Sequence, residues 1–350
     1  MHKYIDLRGH CSEIDPSTVV LDNYSCDILG LLALHTPPNT LIVEEGVIAE
    51  NTRDSDQQWI DLINQQDVER VVFANSNGRA DKLLANCKQY DIKHPYYVLS
   101  ACANYRQHPE IVFFPEEELV ANQQTPLPLG ERTHKFSSLN SNPWSHRILT
   151  YLHLVKKPYF GDMIFSWGRV TGWTKDFLFE EDFINDIVIT DEEWAELKTL
   201  PKRILAHPED DTAHNDRSAD HVAYTRACLT IITETTSRND TPQLTEKSFK
   251  PILAGQFFVM IGSRGLVQYM RDIGFDVFDD IVNHSYDNIE DDRERIAAVM
   301  KELDWLHEVD LFKLHKECTI RFKKNQDWLT STDFKRQFVE QFGTLDFKKY

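Results

Sequence analysis

Short β-rich runs separated by helical patterns occur on both sides of one proline-rich break, and this rhythm constrains the fold more than any other feature of the chain. Before the break, Leu41–Val43, Val71–Ala74, Tyr96–Leu99 and Ile111–Phe114 read as strands, with Asp56–Gln65 and Arg79–Tyr90 as helices between them. Strands alternating with helices in this way argue for βαβ units on a mainly parallel sheet. Asn122 to Gly130, carrying Pro126 and Pro128, suits neither a helix nor a central strand. It reads as a linker between an N-terminal domain over 1–125 and a C-terminal domain over 131–350.

A second series follows the break. Lys135–Leu139, Ala227–Thr233 and Phe257–Ile261 read as strands; helices are expected from Ser145 to Val155, from Thr245, and from Gly265 to Ile273. The stretches Asp176–Leu197 and His207–Asp216 are polar enough to read as surface excursions. Beyond Ile289 the chain becomes a helical tail, with amphipathic spacing in Arg293–Trp305 and Thr332–Phe342.

Charge and apolar content narrow the function classes. The chain has 350 residues, 41% of them hydrophobic, and 38 Lys plus Arg stand against 56 Asp plus Glu for a net charge of −18. Such a chain is globular and offers no global field for a polyanion, so nucleic-acid contact would need a local basic patch. No apolar run approaches the roughly 18 to 20 residues of a membrane span. The longest, Ile28 to Leu34, reads as a buried helix. Met1 to Asp6 lacks the apolar core of a secretory signal, so the expected compartment is the cytoplasm, or the host cytoplasm for a viral protein. Six cysteines stand singly, without metal-ligand spacing, and read as reduced, buried residues.

Three strand-to-helix turns in the second series carry candidate chemistry. The strand Cys228–Thr233 delivers Glu234 to the carboxyl edge of a parallel sheet, where ligands of open α/β folds bind. The next helix starts at Thr245, a good N-cap, with Glu246 and Lys247 in its first turn. A carboxylate there can accept two ribose hydroxyls, and a lysine beside exposed N–H groups can neutralise a phosphate. The structural alternative is that Glu246 favours the helix dipole and Lys247 is solvated. Phe257–Ile261 runs into Gly262-Ser263-Arg264-Gly265, a small-residue turn whose N–H groups suit an anion, with Arg264 as counter-charge. Most turns of this kind bind nothing. Leu139-Asn140 leads through a loop to His146-Arg147, which places a guanidinium suited to a diphosphate at the same edge.

Taken in order, Leu139-Asn140, His146-Arg147, Ile232 to Thr235, Thr245 to Ile252, Phe257 to Gly262, Gly274 to Phe278 and Ser285 to Asp287 resemble a glycosyltransferase-like family common in large phages and marine viruses. The Thr-Glu-Lys block is similar to the donor-binding domain of α1,3-fucosyltransferases, which have the GT-B fold. The resemblance spans roughly Lys135 to Met300. It implies an α/β, GT-B-like chain of two Rossmann-like domains facing a cleft, the first for the acceptor and the second for a nucleotide-sugar. Glu246 would then hold the donor ribose, and Lys247 and Arg147 would neutralise the diphosphate. Asn140, Glu234, Thr245, Gly262, Ser263 and Arg264 complete the implied donor site, although Arg264 stands where a small residue or proline is expected. The implied reaction moves a sugar to an acceptor hydroxyl on a glycan, protein or small molecule, with no cofactor and no metal. If the reaction inverts, its base is sought at the strand ends Asp6, Glu44 and Glu45; Arg147, Lys247 and Glu45 are taken as the catalytic candidates. Two competing readings are a viral glycosyltransferase that modifies DNA bases and a non-catalytic protein that binds a nucleotide or glycan.

Other chemistries fit less well. Asp54-Ser55-Asp56 is formally a D-x-D but lacks a preceding apolar strand and reads as an N-cap box. His207, Asp210, Asp211, His214 and Asp216 read as a solvated loop rather than a metal site. The cluster Lys313, Lys316, Arg321, Lys323 and Lys324 reads as a solvated helical face.

Overall fold

The computed structural model describes residues 2–5, 11–14, 39–44, 60–75, 80–102, 108, 110–140, 142–167, 187–200, 222–239 and 242–343. Asp6, Glu45, the 28–34 run, Asp54 to Asp56 and the 207–216 loop lie outside these residues. The chain divides into two units, Met1–Val120 with Lys335–Tyr350, and Ala121–Phe334.

In the first unit, strands β1 (His2–Ile5), β2 (Cys11–Ile14), β3 (Thr40–Glu44), β4 (Arg70–Asn75), β5 (Tyr96–Ser100) and β6 (Ile111–Phe113) form a sheet of order β2-β1-β3-β4-β5-β6. Every neighbouring pair is parallel except the antiparallel β1–β2. Leu41, Val43, Val71 and Phe73 sit two apart on their strands and share one core with Ile60 and Ile63. Ala80, Leu83, Leu84 and Cys87 of helix α1 (Ala80–Gln89) join them as an i, i+3, i+4, i+7 stripe. Ile42 and Val72 point to the other face and are also buried. Burial on both faces is why these strands read as continuous apolar runs. Helix α2 (Glu116–Asn122) follows.

The second unit carries β7 (His134–Asn140), β8 (Ile164–Trp167), β9 (Ala227–Thr233) and β10 (Phe257–Ile261) in the order β10-β9-β7-β8, all parallel. Both sheets are therefore α/β, as the alternating pattern requires. All seven residues of β9 are buried. Its polar members are paired: the Thr230 hydroxyl donates to Gln256 Oε1 at 2.8 Å and lies 3.0 Å from Ser137 Oγ. The helices of this unit are α3 (Ser145–Leu154), α4 (Asp191–Thr199), α5 (Val222–Arg226), α6 (Glu246–Ala254), α7 (Leu266–Asp272), α8 (Asp292–Glu308), α9 (Leu311–Glu317) and α10 (Thr319–Leu329), and α11 (Thr332–Gly343) begins in it and continues into the residues grouped with the first.

The proline-rich break is tied to this second unit, since Leu127 N donates to Leu253 O at 2.8 Å and Gln326 Nε2 donates to Leu127 O at 3.0 Å. The acidic stretch read as a surface excursion is corrected over its described part. It forms α4, opened by a reciprocal Thr190–Glu193 capping box, and buries Trp194 and Leu197. Strand β8 has no counterpart in the sequence reading, although Ile164, Phe165 and Trp167 are buried. Cys87, Cys102, Cys228 and Cys318 are buried and not joined in disulfides, in line with the reading of single cysteines as small core residues. No helix among the described residues is long and apolar enough to cross a membrane.

Candidate functional site

The carboxyl ends of β7, β9 and β10 bring most of the candidate residues to one edge of the second sheet. Glu234 follows β9 directly and is wholly buried. Its carboxylate accepts from Thr245 Oγ1 at 2.5 Å, Thr245 N at 3.3 Å, Thr235 N at 3.2 Å and the Ser248 hydroxyl. These bonds fasten the start of α6 to the end of β9, so Glu234 acts as a brace inside the protein. Gly262 makes the brace possible. A Cβ there would lie 2.9 Å from Glu234 Cβ and 3.0 Å from Leu266 Cδ1.

Thr245 is the N-cap of α6, in extended conformation, with its side chain accepting from Lys247 N. Glu246 and Lys247 form the first turn, and Lys247 Nζ lies 2.7 Å from Glu246 Oε1. The ammonium also lies 3.4 Å from both Thr235 Oγ1 and Thr245 Oγ1. Burial pushes the Glu246 carboxyl up, yet Lys247 and Lys250 prevail and hold it below its ordinary range. Lys250 stands one turn along the same helix, with its ammonium 5.8 Å from the centre of the Tyr224 ring. The i, i+4 spacing of Glu246 and Lys250 was the signal that would have found it.

Arg147, near the start of α3, is enclosed at 3% exposure. Its guanidinium donates to Glu234 O at 2.9 Å and Thr233 O at 3.3 Å, and His146 Nε2 lies 2.8 Å from the same Glu234 carbonyl. Burial lowers the Arg147 pKa to about 10 against the pull of Glu234 and Glu246, which leaves it charged at neutral pH. Its Nε is buried without a partner. Asn140 ends β7, accepts from Thr233 Oγ1 at 2.5 Å and so ties the ends of β7 and β9. The hydroxyls of Ser237 and Ser263 are both buried and unpaired.

The Gly262–Gly265 turn is arranged differently. Gly265 adopts φ +83 and opens α7, whose first N–H groups are held by Asp287. Val267 N and Gln268 N donate to the Asp287 carboxylate at 3.2 and 2.9 Å, and Gly265 N donates to Asp287 O at 3.1 Å. Arg264 N donates to Asn239 Oδ1, and its guanidinium lies 3.5 Å from Glu290. A protein carboxylate thus fills the place an anion would take at α7. Asp287 was quoted within the sequence blocks above, but its role needs the fold to bring it back across some 20 residues.

Of the first-unit base candidates, only Glu44 falls within the described residues, at the carboxyl end of β3. In the basic cluster, Arg321 is engaged by Asp276 and Asp280 and lies over the Phe278 ring at 4.6 Å. Lys313 and Lys323 pair with Glu317 and Asp327. Among the described residues no group of three or more His, Cys, Asp or Glu is placed to hold a metal.

No family model matches the chain, and no curated protein matches it. Solved structures of β-glucosyltransferases resemble it weakly. One is a DNA-modifying β-glucosyltransferase studied with and without uridine diphosphoglucose, at 12% identity and TM-score 0.44, covering 87% of this chain and 79% of that one. A second, from T4 phage, has 14% identity and TM-score 0.41 over 87% and 80%. A third, the T4 phage enzyme with UDP and Mn²⁺, has 13% identity and TM-score 0.38 over 87% and 83%. At this distance the functional reading rests on the chain's own residues.

Proposed function

We propose that the second unit binds a nucleotide-sugar and that the protein transfers the sugar to an acceptor hydroxyl. The observation that carries this is the first turn of α6. Glu246, ionised between Lys247 and Lys250, is an acceptor for a ribose diol, and Lys247 beside the helix N-terminus is a counter-charge for phosphate. The likeness of the Thr245-Glu246-Lys247 block to fucosyltransferases supports the same assignment of roles. As the bond from the anomeric carbon to the phosphate oxygen breaks, negative charge grows on the departing diphosphate. Lys247, standing at the positive end of α6, and the enclosed charge of Arg147 are fixed before the reaction and stabilise it. Arg147 acts from behind the strand end, through the carbonyl turn it holds. If the reaction inverts, a carboxylate takes the acceptor proton, with Glu45 the first choice and Asp6 and Glu44 the others.

The proposed acceptor is a glycan, protein or small molecule. A net charge of −18 disfavours duplex DNA, and Arg321, Lys313 and Lys323 are already paired with carboxylates. The reaction is proposed to need no divalent metal. Turnover in excess chelator should persist; its loss, with recovery on adding Mn²⁺ or Mg²⁺, would refute that part.

A thermal-shift screen with nucleoside diphosphates and their sugars tests donor binding, because a ligand of the folded state raises the melting temperature. Glu246→Ala and Lys247→Ala should each weaken binding roughly tenfold to hundredfold, equivalent to about 1.5 to 3 kcal/mol for a charge-assisted bond. Unchanged affinity in both variants would remove the assignment. Slow release of free sugar by the protein alone would separate the enzyme from a non-catalytic binder.

A further inference from the structure

At the opposite end of the second sheet, a hollow of about 420 Å³ opens between the amino ends of β7 and β8 and the end of α8. β7 spans seven residues, so the hollow lies about 20 Å from the Asn140 edge. Its volume falls within the roughly 300 to 1,000 Å³ of small-molecule sites.

Its aromatic part is already ordered. Phe136 and Tyr159 are buried with ring centres 5.2 Å apart, and the Tyr159 and His307 rings are 4.8 Å apart. The Tyr159 hydroxyl donates to Asp304 at 3.1 Å, which fixes that ring. Phe312, also lining the hollow, stays 39% exposed and would gain cover from a ligand.

The polar part is balanced. The Lys135 ammonium donates to His307 O and to Val309 O, offsetting the negative end of α8. Asp162 also lines the hollow, and its carboxylate has no side-chain partner among the described residues. His134 holds the Thr133 hydroxyl through Nδ1, leaving its Nε2 edge for a ligand. The formal charges of Lys135 and Asp162 cancel. An anion would face Asp162 while Lys135 is already engaged, and a cation would face Lys135. A hydroxyl both donates and accepts, so two hydroxyls on one ring can answer Asp162 and the Nε2 edge of His134 together. The apolar face of such a ring fits against Phe312.

We infer that this hollow binds one uncharged, polyhydroxylated ring the size of a single sugar residue, at a site separate from the α6 turn. The test is saturation-transfer NMR of the full chain with a panel of methyl pyranosides, with glucose 6-phosphate and methylammonium as charged controls. At least one neutral glycoside should give a signal, and an excess of nucleoside diphosphate should leave it intact. Asp162→Asn and Phe312→Ala, at surface positions, should each lower that affinity about tenfold with no change in melting temperature. The inference is overturned by silence across the neutral panel, by preference for either charged control, by displacement with nucleoside diphosphate, or by full affinity in both variants. Because the nucleotide arm reads the other site directly, failure here is distinguishable from failure of the donor assignment.

Discussion

Two strand-to-helix turns lie side by side in the second sheet, and they use the same geometry for different ends. At α7, Asp287 takes the N–H groups of Val267 and Gln268, so the helix start is closed by the protein's own carboxylate. At α6, the buried carboxylate of Glu234 takes Thr245 and Ser248, one step behind the helix start, and leaves Glu246 and Lys247 as a charged first turn. A strand-turn-helix pattern therefore announces a possible anion site only until the donors are counted. Where an internal carboxylate already satisfies them, the turn is architecture.

Removing the brace should have the largest effect. Glu234→Ala leaves several buried donors unsatisfied, at about 1 to 3 kcal/mol for each group water cannot reach, for a total loss of about 4 kcal/mol in urea unfolding. It should abolish nucleotide binding as well, because α6 loses its anchor. Glu234→Gln, which keeps an acceptor oxygen, should lose less on both counts. If Glu234→Ala unfolds at the same urea concentration as the parent, the brace is not one.

Closing the other turn is worth less. Asp287→Ala should destabilise by about 1 to 2 kcal/mol, the scale of a lost N-terminal cap, while nucleotide affinity stays within about twofold. A collapse of affinity comparable to that of Glu246→Ala would place the α7 start in the donor site and erase the distinction drawn between the turns.

The two turns should also titrate in opposite directions. Burial raises Asp287 above its ordinary 3.8. Its contribution is fully present below 3.8 and is lost as pH rises through the folded value. Glu246 is pushed up by burial but held below its ordinary 4.5 by Lys247 and Lys250, so its contribution is present above 4.5 and lost as pH falls through the folded value. Carboxyl-carbon NMR should place the Asp287 midpoint above 3.8 and that of Glu246 below 4.5. An Asp287 midpoint at or below 3.8, or a Glu246 midpoint at or above 4.5, would contradict the electrostatic account of that turn. The smallest effect belongs to the half-buried ammonium of Lys247: Lys247→Ala should change stability by no more than about 0.5 kcal/mol, which chemical denaturation can check beside its effect on nucleotide affinity.

Much of this architecture was legible before any coordinates. The β7, β9 and β10 segments, the Thr245 cap and the Gly265 helix start follow from local apolar periodicity and capping chemistry, which depend on residues a few positions apart. Strand β8 was not legible, because four residues framed by Met163 and a glycine-containing stretch give too short a periodic signal. Helix α4 was hidden by its charge: Asp191, Glu192 and Glu193 read as solvent-facing, though they satisfy a helix start above a buried Trp194.

What the sequence determined by itself was the class of fold and the identity of the charged residues at each turn, since both arise from near neighbours along the chain. Which of those charges is available to a ligand was decided only by tertiary structure. Arg147, a cation suited to diphosphate on composition, is enclosed and holds the carbonyls of Thr233 and Glu234. Glu234, a candidate ligand-binding carboxylate, is consumed by Thr245 and Ser248 from 11 and 14 residues downstream. Asp287 reaches back about 20 residues to close α7. A hydrogen-bonding group has a limited number of partners, and whether they come from the protein or are left to a ligand is settled by contacts distant in sequence, which no local pattern encodes.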